Sequence, residues 1–189
     1  MGASIGVSLR LASGHMAANA KVALVDTLTN GSTLFETSAD SMGQTSLPRD
    51  KSGLVLVRHE HAAFLVRPWP PEGQRESVEW VLPPASGRPL VIRVRDDLGD
   101  GVVRRAEITL RVGAWRLSGK PFSWLTEAPP FAGEHGFWSA SNVPAGSVSI
   151  LAYHPHDRLK MASGNWDMLA TEIAAPWPEV VETRLVLAD

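Results

Sequence analysis

Two His-x-His pairs are the side chains whose type and spacing best suit chemistry: His59 with His61, and His154 with His156. On a strand, positions i and i+2 share a face, so each pair would present two imidazoles together, a geometry that suits Zn²⁺ or Cu²⁺. A metal site needs further ligands, and Glu60 points to the opposite face if the strand continues. The competing reading is a strand that simply ends there with exposed histidines. That reading is preferred: no cofactor and no metal is expected, and these four histidines are the minority candidates. Asp96 to Glu107 partly fits a calcium loop, with acids at positions one, five and twelve and Gly101 at six. Leu98 stands at position three, where an oxygen ligand is required, so a hairpin connection is the better reading.

Other chemical motifs fail on inspection. GAWRLSGKP, from Gly113, is one residue too long for a phosphate loop and carries Pro121 where Ser or Thr should meet magnesium. HEHAA, from His59, lacks the second His of a metalloprotease helix. The 189 residues hold no Cys, which excludes thiol nucleophiles, thiolate metal sites and disulfides together. No Gly-x-Ser-x-Gly elbow occurs. A formal net charge of −2 offers no general attraction for nucleic acid or anionic lipid. Arg93, Arg95, Arg104, Arg105 and Arg111 flank a turn containing Asp96, Asp97 and Asp100, which reads as a mixed solvated surface.

The elements that must carry these residues are strands. Apolar residues recur with a period of two: Ile5, Val7, Leu9 and Leu11; Ala20, Val22 and Leu24; Leu90, Ile92 and Val94; Ala106, Ile108, Leu110 and Val112. Only Trp166 to Ala175 reads as a possible short helical turn. The strands recur in order. VSLRLASGHMAANAKVAL, from Val7, aligns with IRVRDDLGDGVVRRAEITL, from Ile92, at an offset of 85 residues that becomes 86 after one insertion. Gly43, Leu47-Pro48 and Gly53 are followed in the second half by Gly136, Val143-Pro144 and Gly146. Each half closes on an apolar strand, SVEWVLP from Ser77 and EVVETRLVL from Glu179. The expected architecture is all-β: two tandem Greek-key-type sandwiches spanning 1–84 and 88–189, joined near PPASGRP (Pro83 to Pro89).

In GEHGFWSASNVPAGSVSI, from Gly133, an acidic residue and Gly make a turn, a strand follows, Val-Pro makes a corner, and Gly opens the next strand. Glu134-His135-Gly136-Phe137, Asn142 to Gly146 and His154-Pro155 carry this pattern; Asp40 to Gly43, Leu47-Pro48, Gly53 and His59-Glu60 carry a looser copy. The pattern resembles the carboxypeptidase regulatory-like domain, a transthyretin-like (prealbumin-like) sandwich. The resemblance implies a non-catalytic accessory or interaction module, of a kind found mostly in exported or surface proteins. Enzymes on related sandwiches, such as intradiol dioxygenases, use two Tyr and two His as iron ligands, and this chain has only Tyr153. Isopeptide-forming relatives join Lys to an Asn on the last strand, and neither closing strand contains Asn.

Seven Trp against one Tyr is the unusual count. Trp80, on a closing strand, reads as core. Trp69 and Trp177 sit beside prolines in RPWPP and APWPE, while Trp115, Trp124 and Trp138 gather in the second half. Exposed Trp can anchor a protein interface or stack on sugars. The expected function is therefore protein–protein recognition, or a structural or accessory role in a larger assembly, through an aromatic patch or a sheet edge. Trp69, Trp115, Trp138 and Trp177 are the expected anchors. The alternatives are a carbohydrate-binding module using the same residues, with a polysaccharide ligand, and a His-x-His metal-binding protein. No membrane span is expected, since no apolar run nears ~18 residues. A native Met1 would imply a cytoplasmic chain, because no signal peptide precedes the first strand; a fragment of an exported protein would be extracytoplasmic.

Overall fold

The computed structural model describes residues 3–29, 31–73, 76–96, 99–103, 105–154 and 170–186. Strict alternation makes β1 (Ser4–Leu11), which buries Ile5, Val7 and Leu9 and leaves Ser8 and Arg10 half-exposed. It is the centre of a three-stranded sheet between β4 (Gln44–Pro48), antiparallel to it, and β7 (Ser77–Leu82), parallel to it. Facing it is an antiparallel sheet in the order β3 (Thr33–Ser38), β2 (Lys21–Val25), β5 (Gly53–His59), β6 (Ala62–Trp69). Ile5, Val7, Leu9, Val22, Leu24, Leu47, Val55, Val57 and Leu82 fill the space between the two. The chain is an all-β sandwich protein with one short helix among the described residues.

The remaining strands are β8 (Leu90–Asp96), β9 (Gly99–Val102), β10 (Glu107–Val112), β11 (Trp115–Leu117), β12 (Phe137–Ala140), β13 (Ser147–Tyr153), β14 (Thr171–Ala174) and β15 (Val181–Val186). They form one sheet in the order β11-β10-β13-β15-β8-β12, with β14 on β13 and β9 on β8. Most of its pairings follow those of the first half, while the parallel β13–β15 pair and β9 on β8 have no counterpart there. β8 takes β12 antiparallel and β15 parallel, as β1 takes β4 and β7. β10 takes β11 and β13, and β13 takes β14, as β2 takes β3 and β5, and β5 takes β6. The match reaches single hydrogen bonds. Leu9 N–H donates to Gly43 O at 2.8 Å and Val94 N–H to Gly136 O at 2.8 Å; Ala39 N–H reaches Ala20 O at 2.9 Å and Ala132 N–H reaches Ala106 O at 2.8 Å.

In the four-stranded sheet of the first half, β2, β5 and β6 are buried on both faces, while β3 stays exposed at the edge. Val22, Leu24, Val55 and Val57 point to the first core, while the alternate residues Ala23, Val25, Leu56, Phe64 and Val66 join a second core. That second core also holds Ile92, Ile108, Leu110, Phe122, Leu125, Trp138, Ile150 and Trp177. A strand buried on both faces loses its polar alternation, which is why LVLV in β5 and AAFLV in β6 are continuous apolar runs.

The helix is not where the sequence suggested. α1 (Gly119–Thr126) lies between β11 and β12, whereas Thr171–Ala174, inside the stretch read as a helical turn, is strand β14; positions 166–169 lie outside the described residues. Pro121 is tolerated because a first-turn residue has no intrahelical N–H partner to lose. Glu127, left-handed at φ 56°, ends the helix, and Pro129-Pro130 prevents its resumption. Phe122 and Leu125 are fully buried, and α1 packs on β5. Among the described residues, no helix is long and apolar enough to cross a membrane.

Candidate functional site

The end of β5 meets the end of α1 where the two halves join. Arg58, on the last turn of side chains before the β5–β6 hairpin, forms an ion pair with Glu127 and lies 4.8 Å from the centroid of the Trp124 ring. The Trp124 indole N–H donates to Glu36 Oε1 on β3 at 3.2 Å. Backbone bonds flank this cluster: Ser118 N–H to Leu28 O at 3.2 Å, and Phe64 N–H to Asn142 O at 2.9 Å. Two shallow polar clefts open beside it, of about 260 and 320 Å³, and both are lined by His59, Glu60 and Glu127. The arrangement clamps the halves together: an apolar interior sealed at its rim by a guanidinium held between a carboxylate and an indole face.

The minority metal candidates form no cluster of metal ligands among the described residues. The ring of His59 is committed at both nitrogens: Nε2 donates to Ala18 O at 3.1 Å, and Nδ1 accepts the His61 N–H at 3.1 Å. These partners define the neutral tautomer with the proton on Nε2. His61 is exposed, its ring 5.6 Å from that of His59 and its Nε2 3.2 Å from Glu60. His154 is exposed just beyond β13, and His156 lies outside the described residues. Among the described residues, no three His, Asp or Glu side chains gather as a metal site.

The expected aromatic surface is corrected by burial. Trp69, Trp138 and Trp177 are 3%, 3% and 2% exposed. Each buried indole N–H has an acceptor: Pro48 O at 2.9 Å for Trp69, Pro129 O at 2.8 Å for Trp138, and Ser86 Oγ at 2.6 Å for Trp177. Trp138 stacks on Phe122 with ring centroids 5.2 Å apart, and Trp69 meets Trp80 edge-on at 6.2 Å. Trp115 is half-buried in a small groove with Phe64, Val66, Pro83 and Pro144, at the junction of the halves. Three of the four expected anchors are thus core, and the coplanar exposed rings that a sugar-binding face requires are not formed by them. The flanking prolines were misleading, since they mark corners folded over the ends of the cores. Arg58, Glu127 and Glu36 carried no sequence signal, because only the packing of the halves brings them to Trp124.

No family model matches the chain, and no curated relative does. Among solved structures, the chain is similar to a streptococcal ancillary pilin, with 8% identity and a TM-score of 0.35 over 96% of this chain and 62% of that one. The chain thus spans less than two thirds of that pilin. It is also similar to the shaft pilin SpaA of Lactobacillus rhamnosus GG, with 6% identity and a TM-score of 0.33 over 98% of this chain and 97% of that one. A variant of BcpA, the major pilin subunit of Bacillus cereus, gives 9% identity and a TM-score of 0.32 over 97% and 98%. Likeness at this level assigns no function.

Proposed function

We propose that the chain is a non-catalytic structural or accessory module, two tandem β-sandwich units of 1–84 and 88–189 locked into one rigid body, that serves a larger assembly through protein–protein contacts. The observation that carries the reading is the double-sided burial of strands β2, β5 and β6, whose outer face is part of the second core. An apolar junction of this kind fixes orientation, whereas the polar interfaces usual between domains permit relative motion. The tandem division is supported by the matching registers and by a repeated ion pair. Arg10 Nε lies 3.2 Å from Glu79 Oε1 across β1 and β7, and Arg95 pairs with Glu182 across β8 and β15.

The absence of native Cys permits a direct test. Spin labels on Ser46→Cys in β4 and Ser139→Cys in β12 will report the distance between the units. A single narrow distribution, unchanged between dilute buffer and 0.5 M salt, where the Debye length falls to about 4 Å, is the expected result. A broad or bimodal distribution would mean two independently moving domains and would overturn the rigid module.

A further inference from the structure

The edges of the sheets differ in how they are closed to other strands. An unprotected edge offers a row of N–H and C=O groups to any extended chain, so proteins cover, shorten or charge it. β6 contains Pro68 and spends amide protons inside the molecule, Ala63 N–H on Pro83 O at 3.0 Å and Phe64 N–H on Asn142 O at 2.9 Å. β4 ends on Pro48, and β7 runs into Pro83-Pro84. β11, β12 and β14 are three or four residues long. β3 is less protected: six residues, TLFETS, without Pro, Gly, Lys or Arg, pairing only with β2 among the described residues. It is guarded by a bulge, the charge of Glu36 and a 3.4 Å hydroxyl contact of Thr37 with Thr45 of β4.

The side chains of β3 describe what would lie beside it. The register passes from Leu24↔Phe35 to Val25↔Thr33, so Leu34 is the extra residue of a bulge, and both Leu34 and Phe35 are 38% exposed. The regular run from Phe35 to Ser38 remains open for pairing. Glu36, in the middle of that run, receives the Trp124 indole N–H and has no cationic partner among the described residues. A second copy of the chain fits poorly. Antiparallel pairing about a two-fold axis sets residues of like face opposite one another, bringing Glu36 against Glu36 or against Leu34, or, where Glu36 meets Ser38, leaving Phe35 without a strand partner.

We propose that β3 is a strand-addition surface for an extended segment of a different protein, with an apolar side chain opposite Phe35 and a basic one opposite Glu36. Backbone pairing supplies the affinity and the two side-chain positions the selectivity. This goes beyond the rigid-module reading and does not depend on it, because β3 and its neighbour β2 lie in one unit.

The test is disulfide tethering to Ser38→Cys, a single thiol in an otherwise Cys-free chain. The probes are nine-residue peptides ending in Cys with alternating Val and Lys, the same with Glu for Lys, and the Lys peptide with alternate amides N-methylated. The Lys peptide should tether about tenfold more tightly than its N-methylated form and several-fold more tightly than the Glu peptide. Glu36→Gln should erase the second difference and keep the first. Equal tethering of the N-methylated form, or equal tethering at Ser46→Cys on β4, would overturn strand addition. Equal tethering of the Lys and Glu peptides would overturn the basic partner.

Discussion

Gly43 shows how much of this fold rests on one missing side chain. It sits at φ +68°, where its carbonyl accepts the Leu9 N–H, and a Cβ there would lie 2.4 Å from Leu9 O. The turn before it is tied by Asp40, whose Oδ1 accepts the N–H groups of Met42 and Gln44, each at 2.8 Å. Gly14, at φ +87°, has open space around the same position. Gly43→Ala should therefore cost about 3 kcal/mol, from left-handed strain plus a backbone clash, and Gly14→Ala about 1 kcal/mol from strain alone. Chemical denaturation of the two variants beside the parent checks the ordering; equal costs would contradict the close approach. The same scale explains the aromatic correction. An indole carries a large apolar body and one donor, so a core that supplies one carbonyl or hydroxyl can bury it completely.

At the scale of strands, the parallel pairs β1–β7 and β8–β15 each carry an Arg–Glu bridge on the solvent face. In the second, the hydrogen bond from Arg95 is the main cause holding the Glu182 carboxyl below its usual range, opposed by some desolvation and helped by the charges of Arg95 and Arg93. A carboxylate whose folded value is depressed contributes stability above the ordinary carboxylate range and loses it as the pH falls through the folded value. The stability difference between the parent and Glu182→Gln should thus be present at neutral pH and shrink on acidification, as followed by denaturation at a series of pH values. The effect is small, because the group is exposed and screened by solvent. A difference that grew with falling pH would reverse the assignment. Phe137 adds to this face, with the Arg93 guanidinium 5.5 Å from its ring.

For the whole molecule, the shared sheet makes stability a joint property of both halves. Leu56 belongs to β5 of the first half yet is fully buried in the core of the second. Leu56→Ala should cost about 2–5 kcal/mol. Hydrogen exchange should then accelerate to the same degree at β2 amides and at β10 amides, because opening either half exposes the other's core. Acceleration confined to β2 and β5 would show that the halves unfold separately. In the proposed rigid module the β3 edge would keep one orientation relative to α1, whose Trp124 is bonded to Glu36.

Much of the architecture was legible in the residues. Period-two alternation marked β1, β8 and β10, the closing strands appear as Ser77–Leu82 and Val181–Val186, and the turn at Gly133 to Gly136 precedes β12 as its composition indicated. These are local matters of side-chain facing and backbone conformation, which neighbouring residues decide among themselves. The helix was missed because GKPFSWLT is a single short segment opened by Gly and Pro, whose stability comes from burying Phe122 and Leu125 and not from helix propensity. Which faces are buried was equally out of reach. Ala23, Val25 and Val66 look like the spare side of a strand until a second unit covers them, and Trp69, Trp138 and Trp177 look like candidates for a surface until a core closes over them. The sequence by itself determined strands and turns, because those follow from short-range sterics and periodicity. Only the tertiary structure decided the shared wall, the Arg58–Trp124–Glu127 clamp and the exposure of the β3 edge, because each depends on residues far apart in the chain meeting across an interface.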